Sequence, residues 1–592
     1  MITVGIHFGH DSSLSIVKDE EIILSVEEER FTRIKTYRGF PFGGLEYAKK
    51  QFNIELKDAN KIIIAGTNIL EELTLAELKK RFGDSDSKLM RKLTGFITKD
   101  TLEDKENYFY KKMKSFGVDK SKIVFVDHHL LHTASAYFQS PFDDALIVTS
   151  DGKGDSTSSA IYTYENNKFI KHIDISALSS LGQMYSAVTM YLGFKAGRHE
   201  GKITGLAAYG DEHKLSPFLM KLFTFDEEKG IYKSKFEEEV LIKSIDEIFT
   251  NFNHNIIKKN NISKMNNSIA KQYETIFALY LKYFDTVFKN EKKEDIAAAV
   301  QYILEKIIIE FISFWIKKLD KKYICLAGGV FSNVKLNQRI LNIAGVENIF
   351  VQPAMGDSGL SLGGALLAYS ELENKNIRKA IYSVYKGPSF SSNEIEIKLK
   401  NTNLKYRKYD NLYEQSKEVA KLIKENNLVG IFNGRMEFGP RALGARTVMI
   451  SPVDKTINDT ANKRFNRTEF MPFAPVVLDK YAKDYFVGYK EEHLASEFMT
   501  ITYDVINSKA KEIEAVVHVD NTARPQVIKK EKNLLYYMII EEFYKLTGVP
   551  IVVNTSFNAH EEPILHNIDN AINALNNDII DYLCIENFIV RK

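Results

Sequence analysis

The sequence is poor in cysteine: it contains two, Cys325 and Cys584, among 592 residues. Two cysteines cannot form the disulfide framework of a secreted scaffold, and these two do not form the CxxC pairs of a structural zinc site. We therefore expect a protein that folds in a reducing compartment, where thiols stay reduced.

The net charge is also small. The 80 lysines and arginines nearly balance the 78 aspartates and glutamates, which leaves a formal net charge of +2. Because so small a net charge gives no global field for a polyanion, we expect neither nucleic acid nor an anionic membrane as a partner. Hydrophobic residues make up 44% and charged residues 27%, which excludes a mostly disordered chain and a collagen-like fibre.

The N-terminus lacks the basic segment and the long apolar run of a secretory signal, so we expect none. The most apolar long stretch, residues 296–319, includes Glu305, Lys306 and Glu310 at spacings that leave one apolar face. This pattern predicts a helix packed in the core and not a membrane span. The expected location is the cytoplasm.

Two regions of the sequence share one order of elements. Residues 2–8 and 13–17 predict strands around a Gly-His-Asp turn, and residues 22–26 predict a third strand. A similar unit follows at residues 145–164, where a turn at 151–155 contains two aspartates and two glycines. The echo favours an internally duplicated α/β domain, with chance resemblance between two hairpins as the alternative.

The polar stretch 371–408 contains Gly387-Pro388-Ser389 and predicts a domain boundary near residues 375–395. We expect one domain over residues 1–375 and a second over residues 390–592. The charged stretches at about 70–120 and 225–295 predict solvated helices.

Histidines and aspartates form the first candidate site. His128 and His132 follow a predicted strand at residues 123–126 and, four apart on a helix, share one face. Asp151 and Asp357 each lie in a turn after a strand, where their carboxylates are placed to complete a two-His, two-Asp metal site. Such mixed ligands suit Fe(II), Zn(II) or Mn(II).

Glycine-rich turns form the second candidate site, because backbone N–H groups and a nearby ammonium bind phosphate. Each such turn alone is more often only a tight turn, but three in one domain favour a nucleotide. The three are Gly152-Lys153-Gly154, Gly201-Lys202-Ile203-Thr204-Gly205, and Gly328-Gly329 ahead of Asn333.

Arginines form the third candidate site. Residues 434–446 contain Arg435, Arg441 and Arg446, and further basic residues follow at Lys463-Arg464 and Arg524. Arginine forks bind phosphate bidentately, so in a chain of nearly zero net charge these residues predict a small-anion pocket. Residues 554–558, Asn-Thr-Ser-Phe-Asn, supply short polar donors after a predicted strand.

With these motifs in order from residue 5 to 558, the chain resembles the NodU/CmcH carbamoyltransferases over almost its whole length. The most specific match is Gly439-Pro440-Arg441-Ala442-Leu443-Gly444. The other matching strings are His10-Asp11-Ser12, Glu27-Glu28-Glu29-Arg30-Phe31, His128 to His132, Asp151-Gly152, Gly154-Asp155, Gly201 to Gly210, Gly328 to Asn333, Gly356-Asp357, Thr522-Ala523-Arg524 and Asn554 to Asn558.

The resemblance implies an α/β fold in two parts: an actin/sugar-kinase-like domain of the ASKHA type, akin to threonylcarbamoyl transferases, and a C-terminal YrdC-like domain. It implies an ATP-dependent carbamoyltransferase that converts carbamoyl phosphate to carbamate and then to carbamoyl-adenylate. The carbamoyl group would pass to a hydroxyl of a small polar acceptor, and the protein would form a homodimer. An internal path is expected because carbamate decomposes in water.

The resemblance also implies roles for individual residues. His128, His132, Asp151 and Asp357 match metal ligands, with Fe(II) as the family ion, and His10 matches a base or hydrogen-bond partner of the acceptor. His129 is expected to pack beside the metal site or support it, and Asp155 to lie in its outer shell. Nucleotide contacts match Gly152, Lys153, Gly154, Lys202, Gly328, Gly329 and Asn333. Carbamoyl-phosphate contacts match Arg441, Lys463 (or its neighbour Arg464), Arg524, Asn554 and Ser556, with Arg441 and Lys463 also catalytic.

Two other functions remain open at this point. A fused tRNA threonylcarbamoyl-adenosine synthase and transferase would share both folds, although the near-neutral charge gives no RNA footprint. A non-enzymatic, actin-like ATP-binding scaffold would leave the C-terminal arginines without a role. The identity of the acceptor, and O-transfer as against N-transfer, are not written in any motif.

Overall fold

The computed structural model describes residues 1–66, 109–242, 269–381, 383–466 and 473–592. Most of the helix-prone stretch at 70–120 and the middle of the one at 225–295 lie outside these residues. At the start of the second stretch, residues 225–234 belong to a two-stranded hairpin instead of the predicted helix. Its other described residues are mainly helical, at 235–242 and 269–287.

Strands make up three main sheets and two small ones. In the described residues they are β1 (Ile2–His7), β2 (Ser13–Lys18), β3 (Glu21–Glu27), β4 (Lys61–Ala65), β5 (Ile123–Val126), β6 (Leu146–Gly154), β7 (Thr157–Glu165), β8 (Lys168–Ser176), β9 (Phe223–Asp226), β10 (Ile231–Ser234), β11 (Tyr323–Ala327), β12 (Asn348–Val351), β13 (Lys405–Lys408), β14 (Val429–Phe432), β15 (Arg446–Ile450), β16 (Ala474–Leu478), β17 (Tyr503–Asp504), β18 (Thr522–Ala523), β19 (Gln526–Ile528), β20 (Ile551–Ser556), β21 (Tyr582–Ile585) and β22 (Phe588–Arg591).

Helices cover the sheets. The α-helices with defined bounds are α1 (Glu29–Thr32), α2 (Phe42–Phe52), α3 (His128–Gln139), α4 (Leu181–Tyr191), α5 (Glu200–Ala207), α6 (Glu212–Met220), α7 (Lys235–Ile242), α8 (Ile269–Val287), α9 (Lys293–Leu319), α10 (Val334–Leu341), α11 (Gly359–Glu373), α12 (Ser392–Lys400), α13 (Leu412–Lys424), α14 (Ile457–Arg464), α15 (Ala482–Tyr485), α16 (Leu534–Thr547) and α17 (Ile568–Asn576). Residues 109–115 are also helical. Short 3₁₀ helices include Gly329–Ser332, directly before α10.

The first two sheets have the same topology. One has the strand order β3-β2-β1-β4-β5 and the other β8-β7-β6-β11-β12. In each sheet, the first three strands along the chain pair antiparallel. The fourth strand pairs parallel with the first, and the fifth pairs parallel with the fourth. The duplication predicted from the sequence is therefore confirmed.

Two buried helices, α3 and α11, lie between these sheets and pack against each other. Close packing depends on glycine: a Cβ on Gly5 of β1 would lie 1.8 Å from the Ser361 carbonyl oxygen, and one on Gly363 would lie 2.0 Å from the Leu131 carbonyl oxygen. A helix that is apolar on all sides belongs in such a buried layer. The N-terminal ends of both helices consequently come close together.

The third sheet contains eight strands in the order β13-β22-β21-β14-β15-β20-β16-β19 and mixes parallel with antiparallel pairs. Helices α13 and α16 pack together over it, and α16 begins at an asparagine cap, Asn533, and ends at Gly548 with a positive φ. The chain as a whole is a mixed α/β protein.

Local structure differs from the sequence prediction at two glycine-rich segments. Residues 151–154 belong to β6, with an irregular register between Ser150 and Gly154, and the turn itself lies at Asp155, whose φ is +52°. Residues 201–205 form the middle of α5 and not a phosphate-binding turn. A helix is favoured over a turn here because Ile203 and Leu206, three residues apart, are both buried on one face of it.

The long apolar helix predicted at residues 296–319 is α9, and its buried face packs against α5 and α6. Across the described ranges, none of the helices combines the length and the apolar character that crossing a membrane requires.

Candidate active site and metal centre

Four side chains predicted as metal ligands converge on one point. His128 and His132 lie on the first two turns of α3, Asp151 lies in β6, and Asp357 lies in the loop between β12 and α11. One donor atom from each residue lies within 4.8 Å of the others. We call these four residues the metal cluster.

The donor atoms are spaced as the ligands of a single ion would be. His128 Nε2 and His132 Nε2 are 3.1 Å apart, and Asp151 Oδ2 is 3.3 Å from His132 Nε2. Asp357 Oδ1 lies 3.5 Å from His128 Nε2 and 3.8 Å from His132 Nε2. Donors about 2.0–2.2 Å from a common ion are separated by about 3.0–3.6 Å, so the donor set fits one ion after small shifts.

Electrostatics also favour a cation at this point. Burial alone would lower the pKa of His128, but the Asp357 and Asp151 carboxylates outweigh it and raise the pKa to about 9. Burial would raise the pKa of Asp151, but the two imidazoles hold it well below its ordinary value. Two carboxylates and two facing imidazole nitrogens are stabilised when a proton or a metal ion lies between them.

Neighbouring backbone groups fix these side chains. The Asp127 carboxylate caps α3 by accepting from Leu130 N at 2.9 Å, and Asp155 Oδ2 accepts from His128 N at 3.1 Å. Asp151 accepts from Gly152 N at 2.6 Å and from Gly329 N at 2.9 Å. Since a Cβ on Gly154 would lie 2.3 Å from the His128 ring, only glycine leaves room for that imidazole.

His129 lies outside the metal cluster. Its ring nitrogens contact Thr149 Oγ1 at 2.8 Å and the Thr157 carbonyl oxygen at 3.0 Å, on β6 and β7. Burial and the two neighbouring histidines lower the pKa of His129 to about 3, which keeps the ring neutral. Its contacts tie α3 to the second sheet.

His10 lies near the metal cluster, in the turn between β1 and β2. Its Nδ1 is 2.9 Å from Asp11 Oδ2, and its carbonyl oxygen is 2.9 Å from His7 Nε2, which in turn lies 3.7 Å from Asp357 Oδ2. Burial lowers the pKa of His10, but the hydrogen bond and charge of Asp11 dominate and raise it to about 9. About a third of the side chain is exposed, at 31%, so His10 is reachable from solvent.

The predicted nucleotide contacts are dispersed around the metal cluster. Gly328 has a φ of +105°, and a Cβ there would lie 2.1 Å from the Ser150 carbonyl oxygen, whereas Gly152 faces open space. Lys153 is exposed, and Lys202 is buried with its Nζ 5.8 Å above the Phe194 ring. Asn333 caps α10 through Leu336 N and pairs with Gln301, so its amide supports the helix start.

A cavity of about 330 Å³ lies between the two halves of the chain. Its walls come from α5, α9 and α10 on one side and from residues 516–524 on the other. Polar and charged groups line it, and among them are Thr204, Gln301, Glu305, Lys335, Arg339, Asp520 and Arg524. Its volume is in the range of small-molecule sites.

Arg441 and Arg524 are neighbours near this cavity. Burial and the charge of Arg524 hold the pKa of Arg441 well below its usual value, as expected where two cations lie close together. Arg441 Nη2 lies 3.4 Å from the Ser332 carbonyl oxygen, so the arginine reaches across to the 3₁₀ turn that begins at Gly329.

Of the other residues predicted to bind the anion, Asn554 and Ser556 lie in β20, whereas Lys463 and Arg464 lie at the end of α14. Asn554 Nδ2 donates to the Ala442 carbonyl oxygen at 3.0 Å and to Gln526 Oε1 at 2.8 Å, and its Oδ1 accepts from Thr447, so its amide is engaged in holding strands and loop together. Ser556 ends β20 and is partly buried. Lys463 is exposed, and Arg464 Nη1 pairs with Asp581 at 2.7 Å; neither lines the cavity.

Sequence reasoning gave no role to two interdomain groups. Glu27 and Arg30, whose string served only as a motif match, are buried and contact Gly439. His199, His560 and Glu561 form a second group of potential metal donors, but Glu561 already pairs with Lys195 and Arg198, so we interpret it as an ion-pair network. Partners this far apart in sequence leave no local spacing signal.

Comparison with known families gives two matches. A model described as "Carbamoyltransferase N-terminus" matches residues 2–366, and one described as "Carbamoyltransferase C-terminus" matches residues 420–592. Together they include the metal cluster, the cavity and Arg441.

Among individual relatives, an uncharacterized protein of Synechocystis sp. is 32% identical over 98% of this chain and 95% of its own length. Nodulation protein NolNO of Sinorhizobium fredii is 30% identical over 99% of this chain and 79% of its own length. Full-length HypF in its phosphate- and nucleotide-bound form aligns with 63% of this chain and 56% of its own, at a TM-score of 0.31 and 14% identity. That structural likeness is too distant to support a conclusion.

Proposed function

The chain belongs to the carbamoyltransferase family, and from this premise we propose that it is an ATP-dependent O-carbamoyltransferase with carbamoyl phosphate as donor. The acceptor we propose is a hydroxyl of a small polar, sugar-like molecule, a natural product or a nucleoside. Residues 1–375 would form the actin/sugar-kinase-like transfer domain, and residues 390–592 a YrdC-like domain that binds the donor.

One observation carries the proposal: a short path of contacts links the metal cluster to Arg441. Asp151 accepts from Gly329 N at 2.9 Å, the 3₁₀ turn from Gly329 ends at Ser332, and the Ser332 carbonyl oxygen lies 3.4 Å from Arg441 Nη2. A nucleotide phosphate at the glycines and a donor phosphate at Arg441 would therefore be near each other. This closeness suits an intermediate that must not escape into water.

We assign the first half of the reaction to the arginines. Arg441 and Arg524 would bind the phosphate of carbamoyl phosphate, whose anionic charge relieves the repulsion between the two guanidinium groups. Water then replaces phosphate to give carbamate and inorganic phosphate. Attack of carbamate on the α-phosphorus of ATP gives carbamoyl-adenylate and pyrophosphate.

We assign the second half to residues around the metal cluster. His128, His132, Asp151 and Asp357 would hold one Fe(II), Zn(II) or Mn(II) ion, with Fe(II) our first choice, and that ion supplies positive charge to nucleotide phosphate. Gly328 N and Gly329 N already donate to the Met355 carbonyl oxygen at 2.7 Å and to Asp151 Oδ2 at 2.9 Å, so these glycines would contribute by letting a phosphate approach the backbone closely. The acceptor hydroxyl replaces AMP at the carbamoyl carbon and loses its proton.

We propose that His10 accepts that proton. Its Nδ1 is engaged with Asp11 at 2.9 Å, which leaves Nε2 for the acceptor hydroxyl. With a pKa of about 9, His10 is mostly protonated at neutral pH, so its capacity as a base grows as the pH rises toward 9. Asp11 both orients the ring and makes it more basic.

Mass spectrometry tests the proposal. The protein, loaded with Fe(II), is incubated with ATP, carbamoyl phosphate and a pool of polar metabolites, and the pool is searched for a gain of one carbamoyl group. We expect such a product only when both ATP and carbamoyl phosphate are present. NMR of the isolated product then tests O-transfer, since a carbamoyl carbon bonded to acceptor nitrogen contradicts it.

Phosphate release separates an enzyme from a scaffold. We expect the protein to release inorganic phosphate from carbamoyl phosphate even without an acceptor. ATP binding without any phosphate release from the donor would favour the actin-like scaffold instead.

A further inference from the structure

A buried ion pair of the first domain holds one peptide unit of the second. Glu27 ends β3, Arg30 lies in α1, and both side chains are nearly inaccessible to solvent. Glu27 Oε1 accepts from Gly439 N at 2.7 Å, and Arg30 Nη2 donates to the Gly439 carbonyl oxygen at 2.8 Å. The backbone donor and acceptor of this single residue are therefore both fixed from the other domain.

The pair is itself fixed. Arg30 Nε and Nη2 each lie 3.4 Å from a Glu27 carboxylate oxygen, and Nη1 lies 3.2 Å from Glu29 Oε1. Two buried carboxylates thus face one buried guanidinium, and Lys35 Nζ, 3.2 Å from Glu29 Oε1, offsets the second negative charge. A fork of fixed shape is well suited to place another group accurately.

Gly439 is also confined on its other side. Its φ is +117°, which disfavours any residue with a side chain, and a Cβ there would lie 2.9 Å from the Pro353 carbonyl oxygen. Pro353 begins the loop that leads to Asp357 of the metal cluster. Gly439 is consequently wedged between the Glu27–Arg30 pair and the loop that supplies a metal ligand.

Residues 437–446, which we call the arginine loop, are closed by a second buried carboxylate. Glu437 Oε1 accepts from Leu443 N at 2.7 Å and from Ala445 N and Arg446 N at 3.2 Å. With Gly439 held from outside and residues 443–446 held from inside, Arg441 lies in the middle of a loop fixed at both ends.

We propose that the Glu27–Arg30 pair positions Arg441, so that the first domain sets the geometry of the donor site carried by the second. This inference rests on the proposed function, because it assumes that Arg441 binds carbamoyl phosphate. Glu27 and Arg30 are positioning residues: they act through Gly439 and do not touch the substrate. On this proposal, the donor site is complete only while the two domains are in contact.

Matched substitutions distinguish positioning from general interface packing. Glu27 and Glu29 are both buried and both pair with Arg30, but Glu29 contacts Lys35 and Thr36 N and not Gly439. Glu27→Ala removes the acceptor of Gly439 N, whereas the control Glu29→Ala leaves it in place. Each variant leaves Arg30 with one carboxylate. Glu27→Gln restores an acceptor without the charge and serves as the conservative rescue.

The first measurement is the kinetics of phosphate release from carbamoyl phosphate by the full-length protein. Loss of a charge-assisted hydrogen bond corresponds to about a tenfold effect or more, so we expect Glu27→Ala to raise KM for carbamoyl phosphate about tenfold. We expect Glu29→Ala to change it less than about twofold and Glu27→Gln to fall between the two. KM for ATP in carbamoyl-adenylate formation should stay the same in all three.

The second measurement is hydrogen exchange of the peptide that contains Gly439, which needs no activity. We expect faster exchange there in Glu27→Ala than in Glu29→Ala, with Glu27→Gln between them. If Glu27→Ala does not fold, Glu27→Gln against Glu29→Gln provides the same comparison with smaller differences.

Equal kinetics and equal exchange in the Glu27 and Glu29 variants would overturn the positioning role. Failure of the proposed function looks different: the unmodified protein would release no phosphate from carbamoyl phosphate. In that case faster exchange at Gly439 in the Glu27 variant still supports the positioning of the loop, and unchanged exchange contradicts it.

Discussion

The metal cluster and the arginine loop are assembled in opposite ways. All four metal donors belong to residues 128–357 and lie on the first two turns of α3, in β6 and in the loop before α11. The arginine loop takes its shape from partners far away in the chain: Gly439 is held by residues about 410 positions earlier. A site formed within one duplicated domain can be predicted from spacing, whereas a site shaped across a domain interface cannot.

This difference has a functional consequence. The donors of the metal cluster and their backbone partners all come from residues 128–357. The arginine loop needs both domains in contact. We therefore expect metal binding to tolerate changes at the interface that impair use of the donor.

The largest expected effect is on metal binding. His128→Ala removes one of four ligands, and since loss of a supporting outer contact alone costs about 10–100-fold in affinity, we expect more than about 100-fold here. Transfer should be lost in parallel. His129→Ala is the matched control, because His129 contacts Thr149 and Thr157 and lies outside the metal cluster. Metal content by plasma mass spectrometry checks this; unchanged metal in His128→Ala would remove it from the ligand set.

The next effect concerns the arginine loop. Arg441→Ala leaves the donor phosphate without its bidentate partner, so we expect phosphate release to fall about 100-fold, which corresponds to about 3 kcal/mol. Metal content should not change, because Arg441 lies outside the first domain. Arg591→Ala, at the exposed end of β22, is the control. Loss of metal in Arg441→Ala would mean that the two sites are not independent.

A smaller effect should come from one added methyl group. Gly154→Ala places a Cβ 2.3 Å from the His128 ring, so the imidazole must move and we expect about a tenfold loss of metal affinity, as for a disturbed supporting contact. Gly152→Ala is two residues away and meets nothing within 4 Å, so it should bind metal normally. Equal affinity in the two variants would contradict the close packing of Gly154 against His128.

The smallest expected effect is a shift in pH dependence. Below a pKa of about 9 the free-base fraction of His10 rises tenfold per pH unit, so transfer should rise with pH and level off near 9. Asp11→Asn removes the main cause of the raised pKa, so the plateau should begin at a lower pH; asparagine tolerates the φ of +60° at this position. Phosphate release should not follow this profile. If the plateau begins at the same pH in Asp11→Asn, Asp11 is not the cause of the raised pKa of His10.

Particular residues show how far the sequence predicts the structure. Strands β1 to β3 and β7 were predictable within about two residues, because apolar runs alternate with turn residues there. Strand β6 begins where predicted but continues to Gly154, through residues predicted as a turn. The prediction of a turn at Gly201 to Gly205 was wrong, because burial of Ile203 and Leu206 in α5 outweighs the low helix propensity of the two glycines. The exposure of Lys463 and the use of Asn554 as a loop support depend on tertiary contacts that no local pattern records.

Pyrophosphate–ATP exchange tests the central claim most directly. Because adenylation is reversible, a protein that forms carbamoyl-adenylate incorporates labelled pyrophosphate into ATP without any acceptor. We predict exchange that requires carbamoyl phosphate, persists in His10→Ala and disappears in Arg441→Ala. Exchange that needs threonine and bicarbonate instead, or the absence of exchange in the metal-loaded protein, would contradict the account.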